Sequence, residues 1–185
     1  MPTKSLEDLG SEFENAAKSQ SSLPPVESWN PPLSGDIDIV ISREGLWYHE
    51  GGLIKRQPLV KLFASILKRE GNDYFLVTPV EKWRMQVEEV PFIVQAMERT
   101  EEEEGGPVLI FTTNVGDRVR AGPNNPIRVD IDPETGEPRP YLRVRRNLEG
   151  RINRAVYYQL AELAEPMPEG EAYGVSSGGE MFALQ

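Results

Sequence analysis

Apolar residues recur along the chain in two rhythms, one helical and one extended. Leu6, Leu9 and Phe13 share a helical face in a segment whose acids come early. Polar residues and the pairs Pro24-Pro25 and Pro31-Pro32 follow, so residues 1–34 are expected to form a short helix and an extended linker. Trp29 is expected to dock on the body. Deleting residues 1–28 is expected to leave the body folded, because few contacts should be lost. From Gly35, Ile37, Ile39 and Ile41 alternate with Asp36, Asp38 and Val40 and predict a strand. Arg43-Glu44-Gly45 turns the chain into Leu46–His49, the second strand of a hairpin. Pro58 sits where a helix accepts proline. The stripe Leu59, Leu62, Phe63, Ile66 and Leu67 continues that helix to Lys68-Arg69, with Gly71 as the stop. Tyr74–Val77 reads as a strand, and Trp83, Met85 and Val87 alternate again.

Pro91–Arg99 and Val108–Phe111 are expected to pair as a hairpin, with Glu101–Glu104 and Gly105-Gly106 at its solvated tip. Replacing the four acids is expected to change stability by less than about 0.5 kcal/mol, as at exposed sites. Ile127, Val129 and Ile131 lead into a turn at Asp132–Gly136, and Tyr141–Val144 returns. A third helix is expected over Ile152–Ala164, ended by Pro166 and Pro168, before short strands at Tyr173–Val175 and Met181–Leu184.

An internal repeat organises these elements. Gly52-Leu53-Ile54-Lys55-Arg56 matches Gly150-Arg151-Ile152-Asn153-Arg154, each after a hairpin and before a helix. After the helices Tyr74 aligns with Tyr173, Glu81 with Glu180, Trp83 with Phe182 and Gln86 with Gln185. The shared order predicts an α+β protein of two related β-rich lobes, residues 35–106 and 107–185, each a hairpin–helix–hairpin. The repeated glycines suggest positive φ or a close backbone approach.

Composition narrows the chemistry. The 185 residues carry a formal charge of −10, with 30 acids against 20 bases. Such a chain repels nucleic acid and anionic membrane, so neither is expected as a partner. There is no cysteine and one histidine, His49, which excludes disulfides, thiolate metal sites and a two-histidine zinc site. No cofactor and no metal are expected. No apolar run approaches the ~18 residues of a membrane span. The first residues lack the pattern of a secretion signal, so a cytoplasmic location is expected.

Trp47-Tyr48-His49-Glu50-Gly51 runs into Ile54-Lys55-Arg56. Leu76–Lys82, Val87-Glu88 with Pro91-Phe92, Thr113–Asp117 and Pro140–Arg145 follow in order. In these segments the chain resembles the bacterial family of domain of unknown function 1285, over about residues 35–165. The resemblance implies a duplicated β-rich core whose C-terminal half is pleckstrin-homology-like. It also implies a ligand site where the lobes meet and a loose association with signalling. It brings no established reaction and no catalytic residues.

Two readings of the charged residues stand side by side. Residues 118–154 hold nine arginines, and no lysine follows Lys82. A guanidinium suits phosphate or carboxylate, so Arg143 and Arg145, expected on one strand face, could form an anion site. The plainer reading is that these arginines neutralise surplus glutamates. Arg56 and Arg154, with Glu81 and Glu180, either tie each helix start to its hairpin or surround a shared ligand. As a tie, each arginine would be worth about 3 kcal/mol. The binding candidates are therefore Arg56, Thr78, Glu81, Arg143, Arg145 and Arg154, with no catalytic residue assigned. His49 is the one side chain whose ordinary titration lies near neutral pH, but strand histidines beside aromatics are more often packed or exposed. Asp130-x-Asp132-x-Glu134 opens like a calcium loop, yet Thr135 and Tyr141 stand where glycine and glutamate are needed. The expected function is non-enzymatic binding of an anionic small molecule or acidic protein at the lobe junction. The alternative is an enzyme on a phosphorylated or anionic small molecule, with Glu81 or His49 as acid–base and an arginine clamp.

Overall fold

The computed structural model describes residues 5–17 and 23–185. The chain divides into two compact units, residues 1–89 and 90–185. The first holds α1 (Leu6–Ala17), a 3-10 turn (Val26–Ser28), β1 (Gly35–Ile41), β2 (Trp47–His49), β3 (Gly52–Leu53), α2 (Gln57–Ser65), β4 (Leu67–Glu70), β5 (Asp73–Val77) and β6 (Lys82–Val87). Its sheet runs β3-β2-β1-β6-β5-β4. Two antiparallel meanders meet at a parallel β1–β6 pairing, with Gly35 opposite Trp83 and Ile41 opposite Val87.

Two expectations are corrected in this unit. Helix α2 stops at Ser65 because the next residues are recruited by β5: Leu67 pairs with Leu76 and Lys68 with Phe75. Ile66 and Leu67 are fully buried, and an apolar doublet fits a helical stripe and a strand equally well. The N-terminal segment also makes more contacts with the body than its composition predicts. Leu9, Phe13 and Val26 are fully buried, and the Phe13 ring meets Phe63 edge-on at 5.6 Å. Phe63 in turn packs against Trp47 at 6.1 Å. The Pro-rich stretch is held by Lys68, whose ammonium donates to the Trp29 carbonyl at 3.0 Å and to Asn30 Oδ1 at 2.8 Å. Lys68 itself is only 4% exposed, so these bonds meet the need of a buried cation.

The second unit holds β7 (Phe92–Glu102), β8 (Gly106–Thr113), β9 (Arg118–Arg120), β10 (Ile127–Ile131), β11 (Pro138–Arg145), β12 (Leu148–Ile152), α3 (Arg154–Leu163), β13 (Glu165–Pro166), β14 (Tyr173–Ser177) and β15 (Glu180–Ala183). Its main sheet runs β10-β11-β12-β7-β8-β9, and β13-β14-β15 form a separate sheet. Taken from the β9 edge, the main sheet has the strand order of the first unit, with β7 and β12 as the parallel central pair. The protein is therefore α+β, with two six-stranded sheets of one topology.

The helices sit differently in that plan. α2 separates the two meanders of the first unit, whereas α3 follows both meanders of the second. The sequence repeat instead matches β1–β3, α2, β4–β6 with β10–β12, α3, β13–β15, each run being three strands, a helix and three strands. The division falls at Glu89/Val90 and not near Pro107. Strands β7 and β8 pair across residue 107 from Val94–Thr113 to Glu102–Gly106, so a boundary there would split a hairpin. The repeated glycines also part company. Neither has positive φ. A Cβ on Gly150 would lie 3.2 Å from Phe92 Cβ and 3.3 Å from Val144 Cγ2, whereas one on Gly52 would meet only the His49 carbonyl at 3.5 Å.

Candidate functional site

Arg56 precedes α2 as its N-cap, in extended conformation and without a side-chain cap bond. It is exposed, and among the described residues no carboxylate lies within ion-pair range of it. The expected tie to Glu81 is absent. Glu81 instead closes a turn with Thr78: its amide donates to Thr78 Oγ1 at 2.9 Å, and the Thr78 amide donates to the Glu81 carbonyl at 2.9 Å. The Thr78 hydroxyl also accepts from the Val80 amide at 3.3 Å, so this buried group serves the turn between β5 and β6. Arg154 opens α3, exposed and with no ion pair among the described residues, and so makes no tie to Glu180. Capping falls to Asn153, whose Oδ1 accepts from the Val156 amide at 2.9 Å.

Arg143 and Arg145 do not share a strand face. A register shift between them in the β11–β12 pairing breaks the alternation. Arg143 is exposed, whereas the Arg145 side chain is 11% exposed, paired with Asp117 at 2.8 Å and stacked 5.0 Å from the Phe92 ring centre. Burial draws the Arg145 pKa below the ordinary arginine value, against the pull of Asp117. Four other strand arginines are paired: Arg118 with Glu98 at 2.8 Å, Arg120 with Glu102, Arg139 with Asp132, and Arg128 with Glu149 at 2.7 Å. The hydrogen bond from Arg128 to Glu149 raises the Arg128 pKa. Five of the nine arginines in residues 118–154 are thus paired with carboxylates, three with glutamates and two with aspartates. At the hairpin tip, Glu101 pairs with Arg99 and Glu102 with Arg120, and both acids belong to β7.

The acid–base candidates do not converge. His49 stands opposite Ile39 on β1, whereas Glu81 precedes Lys82, whose carbonyl bonds the Ser34 amide. At about 3.3 Å per residue they are separated by roughly 20 Å along β1. Among the described residues no group of three or more His, Cys, Asp or Glu side chains is placed to hold a metal. None of their helices is long and apolar enough to cross a membrane.

Among the candidate residues, Arg56 lines a sizeable concavity. A groove of about 720 Å³ runs between α1 and α2, lined by Leu6, Glu7, Gly10, Ser11 and Glu14 from α1 and Arg56, Pro58, Leu59, Lys61 and Leu62 from α2. Gly10 lets the two helices approach closely beside it, since a Cβ there would lie 3.2 Å from Leu59 Cδ1. Leu6, Leu59 and Leu62 are half-buried along it, while Arg56, Lys61, Glu7 and Glu14 are exposed. No ion pair joins the basic α2 wall to the acidic α1 wall. The first turn of α2 contains no acid, so Arg56 adds to the positive end of the helix. The sequence reading missed Lys61 and both acids. Their only signal was that α1 and α2 are each amphipathic, which does not show that they lie side by side.

A two-unit α+β chain built from paired meanders is the class that this architecture defines. Residues 24–90 match the family described as domain of unknown function (DUF1285), N-terminal domain, and residues 91–184 match its C-terminal domain. The chain belongs to the DUF1285 family. It is similar to a crystal structure of a DUF1285 family protein from Silicibacter pomeroyi DSS-3, with 43% identity and a TM-score of 0.87, covering 99% of this chain and 96% of that one. A DUF1285 family protein from Shewanella baltica OS155 is 30% identical with a TM-score of 0.53, over 67% of this chain and 90% of that one. No curated protein matches.

Proposed function

We propose that the chain is a binding protein and not a catalyst, and that it holds an anionic small molecule or an acidic segment of a partner. The observation supporting this is the pair Arg56 and Lys61, both exposed on the groove and, among the described residues, neither within ion-pair range of a carboxylate. In a chain of charge −10, with Arg118, Arg120, Arg128, Arg139 and Arg145 all paired, two cations left without an ion pair among the described residues, on the wall opposite Glu7 and Glu14, favour an anion there. The volume lies in the usual range for small-ligand sites, about 300–1,000 Å³. The acid–base candidates of the enzymatic alternative, His49 and Glu81, do not line the groove, and the carboxylates that do, Glu7 and Glu14, stand on the wall opposite the cations. Because α1 forms one wall, occupancy would alter how firmly α1 is held. That is the form a signalling-related role would take here.

A thermal-shift screen of the full chain against nucleotides, sugar phosphates and carboxylates tests the proposal, followed by mass spectrometry of each recovered hit. The expected result is a raised midpoint, an unchanged compound and loss of the shift in Arg56→Ala/Lys61→Ala. Conversion of the compound, or no shift with any anion, would refute it.

A further inference from the structure

We infer that the groove ligand is a single-chain amphiphile with a carboxylate head, held as a free monomer; this rests on the anion-binding reading above. The α2 wall carries the argument. Arg56 and Lys61 rise at its polar edge, while Leu59 and Leu62 lie half-buried along the same helix, with Leu6 facing them from α1. Pro58 and the Cβ-free Gly10 complete the lining without adding a polar side chain. A small hydrophilic anion would use the two cations and leave this surface wet. A purely apolar ligand would leave the two cations at the rim unused. An amphiphile satisfies both, with the carboxylate on the guanidinium fork and the chain on the leucines. Glu7 sets the polarity of the fit: an anionic head is repelled from its end of the α1 wall and favours the basic edge of α2. The same acid, in a chain of charge −10, opposes approach to an anionic bilayer, which favours a free monomer over a lipid surface.

Calorimetric titration of the full chain with hexanoate, octanoate and decanoate, each below its micellar concentration, tests this. Decanol, acetate and inorganic phosphate serve as comparison ligands, and vesicles of anionic phospholipid form a separate arm. A fully buried methylene strengthens binding about fourfold; in a half-open groove about twofold per methylene is expected, hence about fourfold per two-carbon step. Decanoate should bind one to one and outbind decanol. Arg56→Ala/Lys61→Ala, at exposed positions, should weaken decanoate at least about tenfold while leaving decanol unchanged. Equal binding of all the carboxylates, or tighter binding of phosphate than of decanoate, would overturn the inference and leave anion binding intact. Binding to vesicles but not to free decanoate would overturn the free-monomer assignment. If no anion binds and the double variant behaves as wild type, both the inference and the anion-binding reading fall.

Discussion

Replacing Phe13 by alanine removes a fully buried ring from α1 and leaves a void against Phe63. A buried Phe→Ala change costs about 3–5 kcal/mol, and an edge-on aromatic pair adds about 0.5–1.5 kcal/mol beyond area burial. A ceiling limits the sum. α1 is 12 residues long and would be marginal as a free helix, so it can undock and unfold while the sheet stays intact. The observable loss therefore equals the full cost or the docking free energy of α1, whichever is smaller. Tryptophan fluorescence isolates the effect, because Trp29, Trp47 and Trp83 all belong to the first unit. With a urea slope of about 1–3 kcal/mol/M, a loss of about 3 kcal/mol moves the midpoint down by about 1–3 M. Adding Leu9→Ala separates the regimes. A further drop means α1 still unfolds with the sheet, and no further drop with a smaller slope means α1 had already come off. A Phe13→Ala midpoint equal to wild type would refute the placement of α1 in the core.

The remaining predictions concern the second unit as well as the first. Arg56→Ala and Arg154→Ala should each leave stability within about 0.5 kcal/mol of wild type, because neither exposed guanidinium holds a carboxylate; a loss near 3 kcal/mol in chemical denaturation would restore the staple. Gly150→Ala should destabilise by about 1–3 kcal/mol through crowding against Phe92 and Val144, while Gly52→Ala should be tolerated, as read by thermal unfolding of each variant. Glu70 is held below the usual glutamate pKa by its hydrogen bond to Lys82 first, with the charges of Lys82 and Lys68 adding to it. A folded-state pKa lowered in this way gives stability that is present above about pH 4.5 and lost as pH falls through the lowered value. Glu70→Gln should therefore flatten the acid limb of the stability–pH curve, and an unchanged limb would contradict the pairing.

Alternation and turn chemistry made most strands legible. Ile39 and Ile41, Ile127 and Val129, and the turn at Asp132–Gly136 lie where the two-residue period put them, because one face of each strand is buried or paired. The Glu-rich hairpin tip and α3 followed from the same local signals. What failed was long-range. The stripe through Leu67 fits helix and strand alike, and only pairing with β5 decides it. The N-terminal segment looked separable because its composition is polar and Pro-rich, yet Phe13 reaches Phe63 and Lys68 reaches Trp29. Alternation also put Arg143 and Arg145 on one face, and a bulge that no local pattern announces separates them. The groove was illegible for the same reason: Glu7 and Lys61 line one groove only because α1 docks beside α2.

Hydrogen–deuterium exchange of the full chain, with and without saturating decanoate, tests most directly the claim that the helical face of the first unit is the binding site. The account predicts slowed exchange confined to the groove walls, residues 6–14 and 56–62, with the arginine-bearing strands at 139–154 unchanged. Protection centred on residues 139–154, or spread evenly over the chain, would contradict it.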